Sequence, residues 1–344
     1  MIRARFAYPG DLQTPTGGYG YARRLIDAAP GAGLALEPLA LPAGFPNASA
    51  AQIDMAGQAL GVVPGSQPIV LDGLAGGVLP GRLLESLSAP VIMLCHHPLA
   101  FETGLEPGRA ERLAHSERAA LAACAHVITT SHTTAVTLGA RFGVPPHRIT
   151  VAPPGTDTAP VAPGSGEDQT RILSVGSLSP RKGHHLLIEA LSALRDRAWH
   201  LGIAGAALDR RYAEGLAVQI DENGLSDRIT LMGPLSHDQL AREYNRADLF
   251  VLASQFEGFG MAFTEAMARG LPVLGCPVGA VPEATLGAAR LVAPRDLGPA
   301  LARLLDDPAA LSALGAACER ASHSFIRWRD TAAIAAQVVT GVLR

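Results

Sequence analysis

Short apolar runs recur along the chain, each bounded by polar or glycine-bearing segments: "IVLDG" (69–73), "VIMLCH" (91–96), "VITTS" (127–131), "ILSVGS" (172–177), "LGIAG" (201–205), "ITLMG" (229–233), "LFVLAS" (249–254) and "PVLGC" (272–276). Runs this short that are apolar throughout read as strands buried on both faces. Most are separated by stretches with helical spacing, such as Leu186, Leu187, Ala190, Leu191 and Leu194. Strands alternating with helices predict an α/β protein with parallel sheets covered on both sides.

The rhythm breaks once, in the proline- and glycine-rich stretch "APPGTDTAPVAPGSGEDQ" (152–169), which reads as an interdomain linker. Each half then opens alike, with a strand, a glycine-bearing loop and a helix: "RFAYPG" leading to "TGGYGYARRLI", and "RILSVGSLSPRKGHHLLIEAL". The simplest architecture is two doubly wound, Rossmann-like domains facing a central cleft, the first over 1–155 and the second over 156–325. Ligands of such sheets bind beyond the carboxyl ends of the strands, so each opening loop is expected at that cleft.

Composition changes the picture mainly by exclusion. At 344 residues the chain is long enough for two cores, and 48% hydrophobic content with 17% charged residues argues against extended disorder. Formal net charge is -3 and no basic stripe is visible, which argues against a nucleic-acid partner. Cys95, Cys124, Cys276 and Cys318 lie far apart with no ligand-like spacing and read as small apolar residues of a reducing compartment. With no signal peptide in "MIRARFAYPG" and no apolar run long enough to span a bilayer, the expectation is a cytoplasmic protein, and peripheral membrane contact is not indicated.

Lys182, in "SPRKGHH" (179–185), is the only lysine among 28 basic residues. It follows Arg181 and precedes Gly183, so it does not complete the kinase-type phosphate loop. "GYGYAR" (18–23) and "GFGMAF" (258–263) lack the third glycine of a dinucleotide fingerprint, which disfavours NAD. No D-x-D pair occurs, and the neighbouring histidines His96/His97 and His184/His185 diverge on any regular element, so no metal site and no cofactor are expected.

The most informative segment is "SQFEGFGMAFTEAMARGLPVLG" (254–275). It predicts a turn over 257–260, then a helix through Ala268 that Gly270 caps. Gly258 and Gly260 leave the first helical N–H groups uncovered as an anion site, with Glu257 at its mouth and Glu265 about one turn inside. That arrangement suits a nucleotide sugar. Taken alone, a glutamate pair at this spacing is more often a turn residue and a good helix former.

The segment resembles the donor-site E-x7-E element of the retaining family-four (group 1) glycosyltransferases of GT-B fold. Further similarities run in order along the chain: "TGGYGYARRL" (16–25), "HHPLAFETGL" (96–105), "VAPPGTD" (151–157), "SVGSLSPRKGHHLLIEAL" (174–191) and "GAVPE" (279–283). The resemblance implies a metal-independent hexosyltransferase that takes a UDP- or GDP-linked sugar as donor substrate. The acceptor, a small molecule, glycan or lipid-linked hydroxyl, is not identified by it. Donor would sit mainly on the second domain and acceptor mainly on the first, with the C-terminal helix of 326–344 crossing back to the first domain. Trp328 either marks that crossing or packs the core. In this reading Lys182 and Arg181 stabilise the departing diphosphate, Glu265 binds the ribose, and Glu257 lies by the donor sugar. The backbone of Gly258, Phe259, Gly260 and Met261 contacts that sugar, Gly17 and Gly18 approach the diphosphate, and His97 sits beside the sugar. Ser177 occupies the position where many members place an arginine, so Arg181 either substitutes for it or faces solvent. Glu283 either contacts the donor or only shapes its turn. Two other classes share the architecture: nucleotide-sugar epimerases and phosphorylases, and non-catalytic nucleotide-sugar-binding proteins.

Overall fold

In the computed structural model, which describes residues 1–344, the chain divides into two compact units, one made of Met1–Gly155 with Ile326–Arg344 and the other of Thr156–Phe325. The first contains a six-stranded sheet of β1 (Ile2–Pro9), β2 (Leu34–Leu41), β3 (Ile69–Asp72), β4 (Val91–Cys95), β5 (His126–Thr129) and β6 (Ile149–Val151), in the order β2-β1-β3-β4-β5-β6. The second contains β7 (Thr170–Val175), β8 (Trp199–Ala204), β9 (Ile229–Gly233), β10 (Leu249–Leu252), β11 (Val273–Gly275) and β12 (Arg290–Leu291), in the order β12-β11-β10-β7-β8-β9. Every pairing in both sheets is parallel.

The chain leaves β7 toward β8 and β9 on one side, then returns to place β10 on the other. The loops after β7 and β10 therefore lie side by side at the carboxyl ends of their strands, the end of an open α/β sheet at which ligands bind. The same reversal occurs between β1 and β3 in the first unit.

The apolar runs become strands because β3, β4 and β10 are buried at every position. Strand β2, "LALEPLAL", carries no such run: it lies at the sheet edge, only three of its eight residues are buried, and an edge tolerates Pro38. In the second core Trp199 is fully buried, its indole N–H donates to the Leu194 carbonyl at 2.7 Å, and the Arg228 guanidinium stacks 4.1 Å above the ring. A large aromatic with its one donor satisfied gives that core a rigid centre.

The C-terminal helix Trp328–Gly341 belongs to the first unit. Trp328 packs edge-on against Tyr21 at 5.5 Å, Tyr21 donates its hydroxyl to Ala152 O at 2.9 Å, and Thr331 donates to Pro153 O at 2.7 Å. A Cβ on Gly155 would fall 2.2 Å from the Trp328 backbone nitrogen, so glycine is required for the helix start to lie against 152–155. Trp328 is both the start of the returning helix and a core residue, at 8% exposure.

Candidate active site

In the second unit the site grows from the two loops at the β7/β10 reversal. After β7 the chain turns at Gly176, passes Ser177, and makes one 3-10 turn over Pro180–Lys182. Gly183 ends that turn in the left-handed region, φ 65°, where an added Cβ would meet Ala253 O at 1.9 Å. The two loops therefore touch backbone to backbone, and Gln255 N donates to Arg181 O at 2.7 Å. His184, at the start of the helix His184–Ser192, is fully buried, and burial pushes its pKa down to about 4. Neutral, it donates Nε2–H to Gly176 O at 3.3 Å and accepts from Ser174 Oγ at 3.3 Å through Nδ1, tying the helix to the loop.

This geometry brings Lys182 and Arg181 onto Glu257. Lys182 Nζ lies 2.6 Å from Glu257 Oε1, Ser254 Oγ donates to the same oxygen at 2.6 Å, and Arg181 reaches Oε2 at 3.5 Å and Phe256 O at 3.1 Å. Glu257 is 5% exposed. Burial pushes its carboxyl up, but Lys182, Arg181 and Ser254 together outweigh that and hold it below the usual carboxylate range. The turn "GAVPE" braces it from behind: Ala280 N donates to Glu257 O at 3.0 Å, and a Cβ on Gly279 would stand 2.1 Å from that carbonyl.

Gly258 and Phe259 lead to Gly260, whose φ of 107° only glycine adopts readily, and then to the helix Met261–Met267. That helix stops one residue short of the expected Ala268, which is its C-cap, and Gly270 at φ 69° turns the chain toward β11. Glu265, one turn in, accepts from Tyr244 Oη at 3.1 Å, and burial raises its carboxyl above the usual range against the opposing pull of Tyr244 and Arg269. The two glutamates thus differ in character: Glu257 is held ionised by cations, and Glu265 is held by a phenol.

The first unit carries the remaining candidates. Gly17 and Gly18 open the helix Gly17–Ala28, capped by Thr16 Oγ1 accepting from Tyr19 N. Beneath Gly18, 3.5 Å from the position of a Cβ, lies His96, whose Nε2 is buried without a hydrogen-bond partner, 4.0 Å from Asp72 Oδ2. His97 Nε2 lies 3.2 Å from Glu102 Oε2. The turn that follows, Leu99–Phe101, is held by Glu117, a residue outside every sequence motif. Ser254, His184, Tyr244 and Glu117 are the site residues that sequence reasoning missed. His184 and Ser254 had a signal, the first lying two residues after Lys182 and the second at the start of the segment 254–275. His185 points elsewhere, to Tyr212 Oη at 2.8 Å, and no group of three or more His, Cys, Asp or Glu is placed to hold a metal.

Four buried titratable groups make a checkable prediction. Burial raises Asp72 to about 6 and Glu117 to about 7. A carboxyl with a raised folded pKa adds stability as pH falls from its folded toward its unfolded value, because the native state binds the proton first. Burial lowers His96 and His184 to about 4, and there the unfolded chain binds the proton first, so stability is lost as pH falls from about 6.5 to about 4. The two effects are opposite and similar in size. The melting temperature is expected to change little between pH 6.5 and pH 5, and Glu117→Gln, which removes one of the stabilising protonations, is expected to make it fall over that range. Differential scanning calorimetry across that range decides it.

Residues 156–319 match the family model described as "Glycosyl transferases group 1", and residues 72–160 match "Glycosyltransferase Family 4". Among curated proteins, the "MMP alpha-(1->4)-mannosyltransferase" of Mycolicibacterium hassiacum is 29% identical over 270 residues, 73% of this chain and 65% of that protein. The "D-inositol 3-phosphate glycosyltransferase" of Kineococcus radiotolerans is 31% identical over 225 residues, 56% of this chain and 51% of that protein. The matches thus span about half to two thirds of these relatives' lengths. Among solved structures, the sucrose-phosphate synthase of Thermosynechococcus elongatus superposes with a TM-score of 0.81 at 24% identity, covering 99% of each chain. HepE of Anabaena, solved in complex with UDP and glucose, superposes with a TM-score of 0.75 at 15% identity, covering 99% of this chain and 100% of that one. These two likenesses concern the fold.

Proposed function

This chain belongs to the family-four, group 1 glycosyltransferases of GT-B fold, and from that membership we propose that it transfers a sugar from a nucleoside diphosphate to an acceptor hydroxyl, with retention at the anomeric carbon and without a metal ion. One observation carries the reading: at the β7/β10 reversal the only lysine and its neighbouring arginine converge on a buried carboxylate. Two cations held there by one anion form a ready site for a diphosphate, which needs fixed positive donors when its bond to the sugar breaks. Lys182 supplies a compact charge and Arg181 a planar fork.

In this reading the diphosphate takes over the cations, and Glu257 turns from Lys182 to the sugar hydroxyls, where an ionised carboxylate is a strong acceptor. Glu265, oriented by Tyr244, accepts from the ribose, and the backbone of Gly258, Phe259, Gly260 and Met261 lines the sugar. The C1–O bond to the β-phosphate breaks, the acceptor oxygen bonds to C1 on the same face, and the departing phosphate oxygen takes the acceptor proton. HepE, named with UDP, makes a UDP-linked donor the first to try. The inositol 3-phosphate in the name of the Kineococcus radiotolerans relative favours a polar, hydroxyl-rich acceptor. No helix is long and apolar enough to cross a membrane, and the four buried, unpaired cysteines fit a reducing cytoplasm.

The test is a thermal-shift screen of UDP, GDP, ADP and their sugars, followed by proton NMR of the product's anomeric signal with and without EDTA. The expected result is stabilisation by one nucleotide series and an α-linked product from an α-linked donor at an EDTA-insensitive rate. An inverted product, or loss of turnover on chelation, overturns the mechanism; binding without any donor consumption overturns the activity.

A further inference from the structure

Glu117 sits in the middle of the helix Pro107–Ala123 at 4% exposure, with its carboxylate turned to the loop that follows β4. Leu99 N donates to Oε1 at 2.6 Å and Ala100 N to Oε2 at 3.0 Å. Burial of a carboxyl among apolar neighbours is unfavourable, and two backbone donors offset it only in part. A core position asks for an apolar residue of the same shape, so the carboxylate calls for another reason. When ionised, above about pH 7, it offers two acceptor oxygens and no donor, which allows it to grip two consecutive backbone N–H groups at once.

What is gripped is the turn Leu99–Phe101, and both features that orient His97 hang on that turn. Upstream, only Pro98, with its restricted φ, separates His97 from Leu99. Downstream, the turn ends at Glu102, whose Oε2 is 3.2 Å from His97 Nε2. Room for the clamp comes from the neighbouring chain: a Cβ on Gly77 would stand 2.9 Å from Glu117 Cγ and 2.9 Å from Leu99 Cδ1.

We propose that Glu117 is a positioning residue that acts through His97: by holding the N–H groups of Leu99 and Ala100 it sets the imidazole and its Glu102 partner in one orientation for transfer. The proposal rests on the reading that His97 stands beside the donor sugar. Glu117→Gln keeps the shape but aims an amide N–H at a backbone N–H, so one bond is lost. The expected results are faster hydrogen exchange at the Leu99 and Ala100 amides, displaced His97 ring signals, and kcat lowered roughly tenfold with the donor KM within about twofold. In a His97→Ala background the same change is expected to lower kcat by less than about twofold, because residues acting as one unit are not additive. An equal kcat loss in both backgrounds, or unchanged exchange and ring signals in Glu117→Gln, overturns the proposal. If the unaltered enzyme consumes no donor, the transfer reading falls, and the exchange and ring measurements alone decide whether Glu117 orients His97. Glu117→Asp, which keeps the charge, is the rescue control and is expected to retain more turnover than Glu117→Gln.

Discussion

Lys182→Ala is expected to lower turnover by about 10²-fold or more, the loss typical of removing one donor that stabilises charge in a transition state. The substitution also strips the nearest cation from a carboxylate that is 5% exposed, and breaking a buried pair from one side costs about 3–5 kcal/mol. Arg181 and Ser254 remain on Glu257, which softens that loss. Two effects are therefore mixed in the single variant, and a second substitution separates them. Lys182→Ala combined with Glu257→Gln removes the orphaned charge, so the melting temperature recovers most of its fall while turnover stays low. Near-normal turnover in Lys182→Ala, or turnover that returns with stability in the double variant, would falsify the role given to the ammonium.

Gly183→Ala is expected to destabilise the second unit by about 3 kcal/mol, since a side chain at positive φ is strained and overpacking adds its own displacement. The contact is specific: the new Cβ would lie 1.9 Å from Ala253 O, so the loop bearing Lys182 must part from the loop bearing Glu257. On a unit of this size that corresponds to a melting shift of roughly 10 °C, with nucleotide binding weakened because the cations and Glu257 no longer converge. Gly215→Ala is the matched control: it lies within the helix Arg210–Glu222, and its Cβ would meet nothing within 4 Å. That change is expected to be neutral or slightly stabilising. Equal melting temperatures for the two variants would show that the loops do not need their backbone contact.

Much of the fold was legible because a strand buried on both faces has no choice but to be apolar. β3, β4 and β10 announced themselves in this way, and so did the helix His184–Ser192 through its spacing. β2 did not, because at an edge its burial alternates and Pro38 reads as a breaker. β12, two residues long, is too short to carry a pattern. In the site, the positions of Lys182, Glu257 and Glu265 were readable from motif spacing, but their partners were not. Lys182 and Glu257 are 75 residues apart, and the sequence reading sent the lysine to a phosphate and the glutamate to a sugar, whereas in this structure they hold each other at 2.6 Å. Glu117 and Tyr244 belong to no motif and are defined only by what packs over them.

By itself the sequence determined the α/β alternation, the repeated strand, loop and helix opening of the two halves, and the glycines that free the backbone at Gly183, Gly260 and Gly279, since apolar periodicity and backbone permissiveness are local properties. The tertiary structure alone decided which polar groups meet. The order in which strands join a sheet sets which loop ends lie side by side, and burial and neighbouring charge together then set the state of each carboxylate there: Glu257 held ionised by two cations, Glu265 pushed the other way by burial.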